Sequence, residues 1–189
     1  MSLVKLNARS ATALDATVLT GNLPAISGGS LTGITTGKLL QLVNGKNVGG
    51  NQSTTSTSYV ATGFTLTMTP TGANSRIRIE YTFPANTSAG NNSCKLRIYR
   101  SINGASFAHF DDDFTFNSIY FYQGAGSVSG LPSFQVVDTP SYTVGQTVAY
   151  KIYFASSAGG QVHIHNEGGN KSNLTLMEIG AWLVILINL

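Results

Sequence analysis

Three stretches of this sequence bring together side chains that could do chemistry. The first is Phe107–Tyr122, which gathers seven of the protein's phenylalanines and tyrosines around Asp111-Asp112-Asp113. Rings beside carboxylates offer stacking faces and acceptors, as a sugar site does, although such rings more often fill a core or an interface. Phe110, Asp111, Asp112, Asp113, Tyr120 and Tyr122 are the candidate glycan contacts. The three aspartates could also offer oxygens to calcium. No EF-hand spacing surrounds them, and a solvated acidic turn is the plainer reading. The second stretch is Val162-His163-Ile164-His165. Two histidines at i, i+2 share one face of a strand, and a threefold axis could gather copies of them around a metal. Exposed or hydrogen-bonded strand histidines are the plainer reading, and no metal ligand is assigned. The third is basic: Arg76, Arg78, Lys95, Arg97 and Arg100 are five of the eleven lysines and arginines. They read first as a solvated strand face and second as a patch for an anionic polymer. Serine, histidine and aspartate all occur, but no Gly-x-Ser-x-Gly elbow appears. The glycine-rich turns lack a P-loop lysine with its following helix, and no carboxylate pair of a glycosidase stands out. The expectation is a protein without catalytic residues and without a cofactor.

Composition points the same way. Charged residues are 10% of the chain, well below the roughly 25% usual for soluble domains. Ser, Thr, Asn and Gly take their place, giving a polar but mostly uncharged surface. Hydrophobic residues at 42% can supply a core, so wholesale disorder is not expected. Low charge weakens repulsion between copies, which suits packing into an assembly. The net charge of +3 is too small for the concentrated basic stripe of a nucleic-acid binder, and no nucleic-acid partner is expected. Cys94 is the lone cysteine, which excludes an intrachain disulfide framework and a cysteine zinc site. The first residues, Met1-Ser2-Leu3-Val4-Lys5-Leu6-Asn7, carry no apolar h-region of a secretory signal.

The elements that must position these residues are strands. Phe64–Thr69 alternates cleanly, with Phe64, Leu66 and Met68 to one side. Arg76–Phe83 alternates too, with Ile77, Ile79, Tyr81 and Phe83 opposite Arg76, Arg78 and Glu80. Cys94–Arg100 points Cys94, Leu96 and Ile98 inward, and Thr147–Phe154 does the same with Val148, Tyr150, Ile152 and Phe154. A period of two marks a half-buried antiparallel strand. Lys38–Val43, Ser133–Thr139, Val162–His165 and Leu174–Ile187 complete the main set. Asn44–Gly50 and Pro84–Ser93 read as turn and loop. Eight to ten short strands separated by Gly, Pro and Asn turns, without a long amphipathic helix, predict an all-β antiparallel sandwich of jelly-roll type spanning residues 38–189.

Residues 1–37 differ from the rest. They show no sustained period, and Gly21 and Pro24 interrupt any helix. Leu14, Val18, Leu19, Leu23, Ile26, Leu31 and Ile34 are spread along an extended arm too thin to bury them. The arm is expected to lie on a partner or to wind with its own copies. The other end is equally apolar: nine of the eleven residues Ile179–Leu189 are hydrophobic. That run is too short for a membrane helix of about 20 residues, so membrane insertion is not expected. On a lone subunit it would leave an apolar patch or an open edge, and a cyclic oligomer removes both. Met177, Ile179, Trp182, Val184 and Leu186 are the candidate oligomer contacts.

Two stretches carry a resemblance. One is the arm, Ala11-Thr12-Ala13-Leu14-Asp15-Ala16-Thr17-Val18-Leu19-Thr20-Gly21-Asn22-Leu23-Pro24-Ala25-Ile26-Ser27-Gly28. The other is the domain, with Thr54-Thr55-Ser56-Thr57-Ser58-Tyr59-Val60-Ala61-Thr62-Gly63 near its start and Leu174-Thr175-Leu176-Met177-Glu178-Ile179 near its end. Together they resemble the small jelly-roll domains of tailed-bacteriophage virion proteins: fibre tips, spikes and capsid decorations. The resemblance implies a homotrimer on the virion, built without disulfides in bacterial cytoplasm. Its partners would be the major capsid protein or another virion protein. The chain lacks the long shaft and large attachment domain of a typical fibre, which favours a capsid decoration or cement protein anchored by residues 1–37. The alternative the resemblance leaves open is a short tail-fibre or tail-spike tip that recognises host surface glycans.

Overall fold

The computed structural model describes residues 38–47, 49–88, 92–110, 128–165 and 171–181. The arm, residues 1–37, lies outside them, as do Trp182, Val184 and Leu186. Twelve strands are described: β1 (Leu39–Lys46), β2 (Gln52–Thr54), β3 (Val60–Met68), β4 (Arg76–Thr82), β5 (Ala85–Thr87), β6 (Cys94–Ile102), β7 (Ala108–His109), β8 (Val128–Gly130), β9 (Ser133–Asp138), β10 (Val148–Ser156), β11 (Val162–Ile164) and β12 (Asn173–Ile179). They form three sheets, in the orders β1-β12-β4-β9, β2-β11-β5-β8 and β3-β10-β6-β7. Every pairing is antiparallel.

The first two sheets are one layer folded across a bend. β1 leads into β2, β4 into β5, β8 into β9 and β11 into β12, so the four strands keep the same order on both sides. Three backbone bonds carry the ladder through the bend: Asn47 N–H to Ser172 C=O (2.9 Å), His165 N–H to Pro84 C=O (3.1 Å) and Phe83 N–H to Pro132 C=O (3.0 Å). Prolines at 84 and 132 sit where strands turn from one half to the other, since proline cannot donate within a regular ladder. Counted this way the fold is eight strands in two four-stranded layers. Successive strands cross from layer to layer except at the β6–β7 hairpin, which is the order of a jelly roll.

The core lies between the folded layer and the β3-β10-β6-β7 layer. Ile77, Ile79, Tyr81, Leu174 and Leu176 come from one side, and Phe64, Met68, Leu96, Ile98, Val148, Tyr150, Ile152 and Phe154 from the other; all are buried. These are the inward positions that alternation picks out, apart from Leu66, which is only partly buried. Alternation yields where the chain bulges. β3 loses register with β10 between Lys151 and Tyr153, and the Thr62 hydroxyl substitutes for a ladder donor by binding Ile152 C=O at 2.8 Å.

Several strand boundaries differ from the sequence reading, and three of them, at β1, β5 and β12, lie in the folded layer. Asn44-Gly45-Lys46 extends β1 instead of turning, because each residue pairs with β12. Ala85-Asn86-Thr87, placed in a loop by its polarity, is a buried strand; the Asn86 amide is satisfied by Ser129 Oγ at 2.7 Å. β12 ends at Ile179, and residues 182–187 of the expected strand lie outside the described residues. Its last rung pairs with Arg76, the first residue of β4, and with Leu39, the first of β1, and beyond it the Gly180 N–H still reaches Lys38 C=O at 2.9 Å.

β12 also carries an inward carboxylate. Glu178 is fully buried, and the 71–75 turn between β3 and β4 wraps it. The Thr71 N–H donates to both oxygens at 3.0 Å, the Gly72 N–H donates at 2.8 Å, Ser75 Oγ at 2.8 Å, and Gln41 Nε2 at 2.8 Å. Burial pushes this carboxyl up, but the bonds from Gly72, Thr71, Ser75 and Gln41 outweigh it and hold it below the ordinary glutamate range. Gly72 is needed for the close approach: a Cβ there would stand 2.6 Å from Ser75 Oγ and 2.8 Å from Leu40 Cδ1. Glu178→Gln turns an amide NH2 toward N–H donors and removes charge-assisted bonds. The expected loss at neutral pH is about 2 kcal/mol, read from urea unfolding midpoints. The carboxylate's contribution is full above the ordinary glutamate pKa and is lost as pH falls through the lower folded-state value, so the two proteins converge in stability in acid.

Candidate functional site

The outer side of β1-β12-β4-β9 is where the structure places the described members of the proposed oligomer contact. Along β12, Leu174, Leu176 and Glu178 point inward, leaving Asn173, Thr175, Met177 and Ile179 on the outer face. The register sets Leu42, Met177, Arg78 and Val137 in one row across all four strands, and Leu39, Ile179 and Arg76 in another. Leu42 is 54% exposed, Leu39 52% and Val137 49%. The other half of this face is polar and satisfied within itself. The Asn44 amide donates to Asn173 Oδ1 (2.6 Å) and Thr175 Oγ1 (2.7 Å), and Thr82 Oγ1 donates to Ser133 Oγ (2.9 Å). Arg78 is drawn toward that half, pairing with Glu80 at 2.6 Å and bonding Gln135. The face therefore divides into a polar half and a largely apolar half around Met177 and Ile179, with Arg76 at the edge of the latter.

The other candidate residues that are described do not gather into one site. Phe110 is half-buried against the core. Its ring meets Tyr150 edge-on at 5.9 Å, and the Arg100 guanidinium lies 5.4 Å from its centroid. Asp111, Asp112, Asp113, Tyr120 and Tyr122 lie outside the described residues. So do the arm residues Leu14, Val18, Leu19, Leu23, Ile26, Leu31 and Ile34. The basic cluster is split among three environments. Arg76 and Arg78 lie on the outer face just described, and Lys95 and Arg97 lie on the outer side of the opposite layer. Arg100 turns toward the interior, where Nη1 holds Asp138 at 2.6 and 2.8 Å.

The Arg100–Asp138 pair ties one layer to the other and was not legible in sequence. Asp138 closes β9, while Arg100 and Tyr150 belong to β6 and β10. Tyr150 donates to Asp138 Oδ2 at 2.6 Å. Burial raises the Tyr150 hydroxyl well above its ordinary value, and the neighbouring Asp138 charge adds to this. A carboxylate with a guanidinium and a phenol as partners is an interior tie whose lone pairs are used.

His163 and His165 do not share a face. His163 lies on β11 with Nδ1 3.2 Å from the Asn51 amide. His165 follows the strand with φ at +87°, which breaks the alternation and turns its ring inside, fully buried. There Nδ1 stands 2.8 Å from Ser172 Oγ and 3.2 Å from the Tyr81 hydroxyl, and Nε2 has no partner. The residue occupies the bend of the folded layer. A serine oxygen at hydrogen-bond distance from an imidazole is the contact of a nucleophile–base pair, but both side chains are sealed in the core. Burial lowers the His165 pKa to about 4, so the ring is neutral near pH 7 and packs as an aromatic, edge-on to Phe64 at 5.7 Å. Cys94 is likewise buried, its thiol pushed up to about 12 by that burial, which makes it inert.

No group of His, Cys, Asp and Glu with metal-binding geometry occurs among the described residues. No helix among them is long and apolar enough to cross a membrane. No protein-family model and no curated protein matches this chain.

The buried imidazole has a consequence for acid stability. The unfolded chain takes up a proton near the ordinary histidine pKa of about 6.5, while folded His165 resists until about 4. Stability therefore falls as pH drops through that window, by about 3 kcal/mol. His165→Asn suits the left-handed backbone and removes the titrating ring. Urea unfolding over a pH series should show the gap between wild type and variant narrowing across the window, and parallel curves would contradict this account.

Proposed function

We propose that this protein is a non-enzymatic structural component of a tailed-bacteriophage virion, a homotrimeric capsid decoration anchored by residues 1–37. The observation that carries the reading is the apolar half-face formed by Leu39, Leu42, Val137, Met177 and Ile179. Outward strand positions of a free sandwich are normally polar, and an exposed apolar patch rimmed by polar groups marks a contact surface. The occupant is another copy of the chain. The patch runs to the end of β12, and the sequence from Ile179 to Leu189 is itself apolar. The low charge of the sequence supports this, since copies packed side by side have little repulsion to overcome. The fold is compatible with the reading, jelly rolls being common in viral capsids, but fold alone does not assign function.

The anchoring role of residues 1–37 rests on sequence. Seven apolar side chains on an extended segment could each bury surface along a shell of capsid protein, at about 25 cal/mol per Å² before the entropy of ordering is subtracted.

Two outcomes test the reading. Sedimentation velocity of the full chain should show a trimer at micromolar concentration. Leu42→Lys with Met177→Lys should weaken self-association at least about a hundredfold, because buried unpaired charges are costly, with the far-UV spectrum unchanged. A wild-type protein that sediments as a monodisperse monomer would remove the basis for the assembly. Separately, a chain lacking residues 1–37 should still self-associate but fail to co-sediment with arm-dependent capsid particles; undiminished decoration would overturn the anchor.

A further inference from the structure

The outer side of β3-β10-β6-β7 bears three cations held in place by aromatic rings. The register places Thr65, Lys151, Tyr99 and His109 in one row, and Ala61, Tyr153 and Arg97 in the next. Lys95 precedes Arg97 by two residues on the same side of β6, about 7 Å along the strand. The Arg97 guanidinium sits 4.4 Å and the Lys95 ammonium 5.9 Å from the Tyr59 centroid. The Lys151 ammonium sits 4.6 Å from the Phe107 centroid. Tyr99 and Tyr153 stack on each other between them at 3.9 Å.

Among the described residues this face has no acid to answer its charge. The described carboxylates are Glu80, on the opposite outer face, and Asp138 and Glu178, both inside. Neither ion pair of the described residues involves Lys95, Arg97 or Lys151. Arg97 Nε is buried without an acceptor. A lysine or arginine free to choose would extend into water; these are half-buried and pinned over rings. Ordering them in advance lowers the entropy cost of binding an anion.

We infer that this face binds an acidic polysaccharide through Lys95, Arg97 and Lys151. The rings argue against single-stranded nucleic acid, which needs open aromatic faces for its bases. Cations lie over Tyr59 and Phe107, and Tyr99 and Tyr153 cover each other. What remains open is charge and hydroxyl: Thr65 and Thr67 are exposed along the β3 edge, and Tyr99 and Tyr153 bring phenolic groups to the same face. That combination matches a chain of sugar hydroxyls interrupted by carboxylate or sulfate groups. The inference does not depend on the assembly proposed above, which uses the opposite face.

The test is affinity electrophoresis of the full chain in native gels containing alginate, heparin or neutral dextran, with oligo(dT) as a competitor. Alginate or heparin should retard the protein and dextran should not; comparing the first two tells carboxylate from sulfate recognition. Lys95→Gln with Lys151→Gln should weaken retardation about tenfold. Lys38→Gln with Lys46→Gln removes the same charge from the other layer and should leave retardation unchanged. Both substituted lysine pairs are on the surface, so folding can be confirmed by thermal melting before binding is read. The inference fails if neither acidic polymer retards the protein, if dextran does so equally, if both double variants weaken binding alike, or if oligo(dT) displaces the polysaccharide at lower phosphate than carboxylate concentration. Sedimentation of the same samples keeps a loss of binding distinct from a loss of assembly.

Discussion

β12 is paired along both edges, and that constraint organises the molecule. β1 and β4 take up its backbone groups on either side, while Leu174 and Leu176 go into the core. An interior strand of this kind has no freedom of register, because a one-residue slip would exchange its apolar face for its polar one. The Glu178 carboxylate adds a second lock. Five donor groups from the β3–β4 turn, from β1 and from Ser75 converge on it, so the same strand that sets the sheet also fixes the turn that closes the sandwich end.

The polar groups inside the fold are structural ties, each placed where regular pairing ends. Glu178 serves the 71–75 turn. Arg100, Asp138 and Tyr150 join the end of β9 to the opposite layer. His165, Ser172 and Tyr81 fill the bend at which the folded layer changes direction. A buried polar group without partners costs more than an apolar one, so these clusters restrict the chain to one arrangement. Within these three clusters the unpartnered atom is His165 Nε2, tolerated because the ring is neutral there.

The two outer faces differ in kind. On the folded layer, the polar half is hydrogen-bonded within itself and the apolar half is exposed at Leu39, Leu42 and Val137. On the other layer, cations and rings are matched to each other and carboxylates are absent among the described residues. One face suits contact with a like surface and the other suits an anion. A jelly roll presents both because alternate residues of every strand leave the core, and what they carry is free to vary without disturbing packing.

Sequence alone determined the strong strands. In β3, β4, β6 and β10 the apolar residues recur at every second position, and a local period survives whatever the strand pairs with. It also marked Met177 and Ile179 as candidate contacts between copies, and β12 places them on the outer face. It did not determine β5, whose Asn86 and Thr87 are buried only because Ser129 and the neighbouring strands satisfy them. Nor did it locate the end of β12, which depends on where β1 and β4 begin. The apolar row through Leu42, Met177 and Val137, and the pinned cations at Lys95, Arg97 and Lys151, exist only after strands distant in sequence are set side by side. Proximity of that sort comes from ladder order and register, which are properties of pairing between segments. No window of sequence contains both members of such a pair, so tertiary structure had to decide them.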